Sequence, residues 1–106
     1  MHYFDFENLD VFRLSVAVNQ WFGSTPFPPG RSHLKDQGLR ASDSLVLNLA
    51  EGVARQGVKA GRNHLRIARG SAGECAAVLY CIDLPGKTEQ LDSLRRIHQM
   101  LNKMAR

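Results

Sequence analysis

Arg62, Arg66 and Arg69 recur at i, i+4 and i+7, the spacing that lays three guanidinium groups along one face of a helix. Lys59 and Arg55 lie at the adjoining corner. Between Arg40 and Arg69 the chain carries six Lys or Arg against two acids, Asp43 and Glu51. A one-sided cationic stripe of this kind can track phosphates, because each cation that meets a phosphate releases condensed counterions. The competing reading is a solvated face that binds nothing. Asn63 and His64 add hydrogen-bonding groups nearby. Trp21, Phe22 and Phe27 lie elsewhere in the chain, so the aromatic interleaving of single-strand stacking platforms is not expected.

Three further polar residues stand close to apolar positions. Asn48 precedes Glu51 by one turn and borders the stripe of Leu45 and Leu49, while Glu74 is flanked by small side chains. A carboxylate near a core needs a partner. Arg40 or Arg55 supplies one, so Arg40, Asn48, Glu51 and Glu74 are expected to form a structural polar layer that fixes helix register. Acid–base catalysis by the two glutamates is the alternative. No Glu-x-x-His pair, GxSxG or Cys–His signature accompanies them, and no GxxxxGK[ST] phosphate loop occurs. His2, His33, His64 and His98 are scattered, without catalytic or metal spacing. The reading is therefore no enzyme, no metal and no cofactor.

The stretch Ala68–Ala77 is rich in small residues. Gly70 and Gly73 each cost a helix about 1 kcal/mol relative to alanine, and close helix–helix approach is the usual compensation. Gly70, Ser71 and Gly73 are accordingly expected as close-packing positions against Gly38, Ala41 and Ser44. Cys75 and Cys81 are six apart on a helical segment, a rise of about 9 Å, and face different directions. No disulfide is expected between them, and both read as small hydrophobes in a reducing compartment.

Four helices must position these groups. Apolar spacing predicts a first helix over about Asp5–Phe22, with Leu9, Phe12, Val16 and Asn19 on its stripe and Val11, Leu14 and Val18 widening it. Three prolines and two glycines in Gly23–His33 make a stiff loop. The second helix runs over about His33–Gln56 on Leu34, Gly38, Leu45, Leu49 and Val53, with Ser32 as N-cap and Gly57 as C-cap. The third runs from Ala60 or Gly61 to Leu84, on Leu65, Ala68, Ala72, Cys75, Ala76, Leu79 and Ile82, and stops at Pro85-Gly86. The fourth runs over Thr88–Met104 on Leu91, Leu94, Ile97, His98, Leu101 and Met104, capped by Thr88. No strand pattern competes. The fold class is all-α, an antiparallel up-and-down four-helix bundle forming one domain over residues 1–106.

The totals agree with that size. The 106 residues are 43% apolar and 23% charged, enough for a core without staples, though so small a domain gains from oligomerisation. The net charge of +4 permits a polyanionic partner without demanding one. The opening MHYFDFENLD lacks the apolar region of a secretory signal, and no apolar run reaches the roughly 18 residues of a spanning helix, so a cytoplasmic protein without a membrane partner is expected.

Three blocks carry a resemblance. They are Leu39-Arg40-Ala41-Ser42 with Ser44; Asn48-Leu49-Ala50-Glu51-Gly52 with Arg55; and Leu65-Arg66-Ile67-Ala68-Arg69-Gly70-Ser71 with Glu74. With the opening Asn8-Leu9-Asp10-Val11-Phe12, they resemble the bacterial four-helix-bundle family of 23S rRNA intervening-sequence proteins, over nearly the whole chain. Tryptophan usually stands at the position of Phe12. The resemblance implies a ring-like homopentamer. It also implies kinship with the accessory variability protein of diversity-generating retroelements, which has a basic surface and binds nucleic acid and a reverse transcriptase. The implied function is a non-enzymatic, oligomeric accessory protein that binds RNA or DNA. The alternative is a scaffold that docks a partner protein such as a reverse transcriptase without touching RNA. Arg55, Lys59, Arg62, Arg66 and Arg69 have both the resemblance and the physical argument as nucleic-acid-binding residues.

Overall fold

Each apolar stripe can bury one face of one helix, so four stripes of similar length settle on a shared core. The computed structural model describes residues 4–105. A 3-10 turn at Asp5–Asn8 leads into α1 (Asp10–Ser24), α2 (Ser32–Ala54), α3 (Lys59–Tyr80) and α4 (Lys87–Met104), with no strand among the described residues. α1 packs on α2 and α4, α3 also packs on α2 and α4, and the diagonal pairs do not meet. That is the up-and-down bundle. Phe22, Leu45, Leu49, Leu79, Ile97 and Leu101 are its largest fully buried side chains. No helix among the described residues is long and apolar enough to cross a membrane.

The helix ends differ from the expected ones for local reasons. α1 begins at Asp10, because Asp5–Asn8 closes a 3-10 turn instead. Its buried face is Val11, Ser15, Val18 and Phe22, turned by about one residue from the predicted stripe. Ser15 is tolerated there because its hydroxyl donates to the Val11 carbonyl at 2.7 Å. Phe12, Leu14, Val16 and Asn19 are half-buried at its edges. α3 stops at Tyr80 rather than Leu84. Lys87 Nζ donates to the Ile82 carbonyl at 2.9 Å and the Arg31 guanidinium donates to the Cys81 carbonyl, so carbonyls at this end find side-chain donors instead of another helical turn. Ser32 and Thr88 lie inside the first turns of α2 and α4 and make no capping bond. Gly86 holds the N-cap of α4 at φ 88°, beneath the Trp21 ring. Gly57 turns the chain between α2 and α3 at φ 87°.

The close-packing glycines are not the expected ones. A Cβ at Gly70 or Gly73 would meet nothing within 4 Å. Both are exposed, on the side of α3 turned away from Ala68, Ala72 and Cys75. The tight approach is at the other end of the helix. A Cβ at Gly61 would run into the Arg55 carbonyl and come within 3.1 Å of the Gly52 carbonyl oxygen. One at Gly52 would lie 2.5 Å from Leu65 Cδ2. Backbone therefore meets backbone where α2 turns into α3. Gly38 makes room in the same way for the ring of Phe22.

Candidate nucleic-acid interface

The positive excess is concentrated on one helix pair. α3 carries four cations against one acid and α4 four against two, while α2 has two against three and α1 one against one. On α3, Lys59, Arg62 and Arg66 are exposed, and none makes an ion pair or hydrogen bond to a described side chain. Arg69 is half-buried and crosses to α4, where its Nη1 donates to Asn102 Oδ1 at 3.1 Å. These four cations follow the 3–4 spacing down α3 and end at the seam with α4. Arg55 stands apart. It caps α2, and its Nε meets Glu51 Oε2 at 3.1 Å, an exposed pair of small energetic weight. The structure thus aligns Lys59, Arg62, Arg66 and Arg69 in one row and places Arg55 at its corner with a carboxylate attached.

Of the four residues expected in a polar layer, only Asn48 joins the hydrogen-bonded seam between α2 and α3. Asn48 Nδ2 donates to the Ser44 carbonyl at 2.9 Å and lies 3.2 Å from Ser44 Oγ. Ser71 Oγ donates to Ser44 Oγ at 2.8 Å, and His64 Nδ1 lies 2.9 Å from Asn48 Oδ1. All four are half-buried along the α2–α3 seam. Ser71 is therefore a register residue as well as a small one. Asn19 makes the matching link between α1 and α2, donating to Ser42 Oγ at 2.9 Å and Asp43 Oδ1 at 2.8 Å. Glu51, Glu74 and Arg40 do not join the layer and are exposed. Hydroxyls and amides satisfy one another at a seam at low desolvation cost, whereas a carboxylate there must be stripped of water. Arg40 and Glu74 instead line a surface hollow with His33, Asp36 and Gln37, without an ion pair among the described residues.

Other expectations divide. Cys75 is buried, and burial, aided by the neighbouring Glu74 charge, pushes its thiol up to about 12. Cys81 is exposed rather than buried, because α3 has already ended. His98 faces the α3–α4 seam from an exposed position instead of the core. His2 lies outside the described residues. Among the described residues no group of three His, Cys, Asp or Glu side chains is placed to hold a metal ion.

Sequence reasoning missed the continuation of the row. Arg62, Arg66, Arg69, Gly73, Ala76 and Tyr80 all keep the 3–4 spacing, so the face that begins in arginines ends in two small residues and an aromatic. Opposite them α4 presents Arg95, His98 and Gln99 across a hollow of about 370 Å³. Tyr80 is 65% exposed, and its hydroxyl accepts from Arg95 Nη2 at 3.1 Å. Lys87 Nζ stands 5.9 Å from the centre of its ring.

The model of the 23S rRNA-intervening sequence protein family matches residues 7–106. The chain belongs to that family. No curated protein matches it. The match takes in all four helices, the Ser44–Asn48–His64–Ser71 seam and the whole cationic row. The family's name associates it with ribosomal RNA and specifies neither a ligand nor a reaction.

Proposed function

We propose that this family member is an oligomeric, non-enzymatic accessory protein that binds structured RNA through the row Lys59, Arg62, Arg66 and Arg69, with Arg55 at its corner. The observation that carries the reading is that row itself. Three of its members have no ion-pair or hydrogen-bond partner among the described side chains, and it lies on the helix pair that holds the chain's positive excess. Unpaired exposed cations in line interact with phosphates at no cost in broken ion pairs. The family name supplies the ribosomal association, and the general chemistry suits DNA as well as RNA. No cofactor or metal enters this reading.

The test is a titration of labelled structured RNA by fluorescence anisotropy, at low and at near-physiological salt. Binding that weakens steeply with salt is expected. No binding at low salt would refute the reading and favour a scaffold for a partner protein.

Self-association has its own surface. Leu47 and Ile67 are 64% and 51% exposed, large apolar side chains on α2 and α3. Ile67 lies about 100° round the helix from Arg66, so burying it in a ring-like homopentamer leaves the cations free. Light scattering is expected to give a multiple of the 11.8 kDa protomer mass, reduced by Leu47→Glu with Ile67→Glu. A monomeric wild type refutes this part.

A further inference from the structure

The hollow between α3 and α4 adjoins the cationic row and has a different chemistry from it. Its floor is apolar, formed by the buried Ala72, Leu91 and Leu94 with half-buried Ala76, and exposed Gly73 stands at its α3 edge, where a Cβ would meet nothing within 4 Å. Its rim is polar and carries Tyr80, Arg95, His98 and Gln99. At about 370 Å³ it sits at the small end of the roughly 300–1,000 Å³ typical of ligand sites. The hollow begins one helical turn past Arg69, about 6 Å along the axis.

We propose that this hollow receives one unpaired nucleobase of an RNA strand whose phosphates follow Arg62, Arg66 and Arg69. The proposal rests on the nucleic-acid reading above. Three observations select this occupant. A carboxylate would need the cations and not the hollow, and an aliphatic side chain would need the hollow and not the cations; a nucleotide uses both. The flat face of a base covers the apolar floor of Ala76, Leu91 and Leu94 beside the Tyr80 ring, while its edge meets Gln99 and His98, which can each donate and accept. Asp92, on the same helix as Arg95, His98 and Gln99, is paired with Arg95 Nη1 at 2.9 Å. A base inside a duplex cannot enter, because its face and edge are taken by its neighbours.

Gly73→Leu tests this directly. The substitution places a bulky side chain at the α3 edge of the hollow, meets no existing atom at its Cβ, and replaces a poor helix former with a good one. Its melting temperature is expected to equal or exceed that of the wild type. Its affinity for a short oligoadenylate RNA is expected to fall about tenfold, the size of one lost base–protein stack. Affinity for a duplex RNA of the same length, and the salt dependence of both, should be unchanged, since no phosphate contact is lost. Tyr80→Ala should repeat the single-strand loss. If Gly73→Leu binds oligoadenylate as tightly as the wild type, the base pocket is refuted and the cationic row stands. If the wild type binds neither RNA at low salt, both readings fall together.

Discussion

Gly61→Ala is the sharpest test of how the α3 row is held in place. The methyl group would overlap the Arg55 carbonyl and press on the Gly52 carbonyl oxygen. Both are backbone atoms on the turn that sets α2 against α3, so neither can swing aside as a side-chain tip can. Overpacking of this kind costs about 1–3 kcal/mol. The gain in helix propensity from replacing glycine returns at most about 1 kcal/mol. The net expectation is a loss of about 1–2 kcal/mol, or roughly 4–10 °C in melting temperature for a domain of this size. Gly70→Ala is the control, because its Cβ meets open space. It should gain up to about 1 kcal/mol. Urea and thermal unfolding followed by circular dichroism measure both. A Gly61→Ala protein as stable as the wild type, or a destabilised Gly70→Ala protein, would refute the placement of the tight contact.

Asn48→Leu should destabilise by about 1–3 kcal/mol, because it removes the partner of His64 and a donor to Ser44 while leaving those groups at the seam. The double variant with His64→Ala should cost less than the sum of the singles in urea melts. In the native protein at pH 8, iodoacetamide should label Cys81 and spare Cys75 by mass spectrometry, with Cys75 reacting only after unfolding. Cys75 also predicts a pH effect. Its thiol is raised in the fold from 9.0 to about 12, so the unfolded chain loses that proton first as pH rises. Stability from this group is fully present below pH 9 and falls by about 1.4 kcal/mol per pH unit between there and 12. The decline should be smaller in Cys75→Ala, and equal slopes in the two proteins would contradict it.

The architecture was legible because helical period is a local property. Leu45, Leu49, Leu65, Leu79, Leu94 and Leu101 needed only their spacing to be placed inside. The candidate interface was legible in half. Arg62, Arg66 and Arg69 share a face by arithmetic, but that face stops mattering at Arg69 unless the next positions are followed to Gly73, Ala76 and Tyr80. What lies opposite them depends on the register of α4 against α3, which no local pattern encodes. The glycines failed for the same reason. Gly70 and Gly73 look like packing residues by composition, yet Gly52 and Gly61 fill that role because the α2–α3 turn brings their backbones together. Of the polar layer expected from Arg40, Asn48, Glu51 and Glu74, only Asn48 lies in the α2–α3 seam. Its other members are neutral Ser44, His64 and Ser71, since glutamates this close to a surface find it easier to stay in water.

The central claim is that the α3 row meets phosphates, and the salt slope of binding tests it most directly. Each phosphate contact contributes about 0.7–0.9 to the slope of log affinity against log salt concentration. Arg62→Gln, Arg66→Gln and Arg69→Gln combined should therefore weaken binding of structured RNA and flatten its slope by about two. Arg13→Gln, on α1 and paired with Asp10, should leave the slope unchanged. A triple variant with the affinity and slope of the wild type would contradict the account.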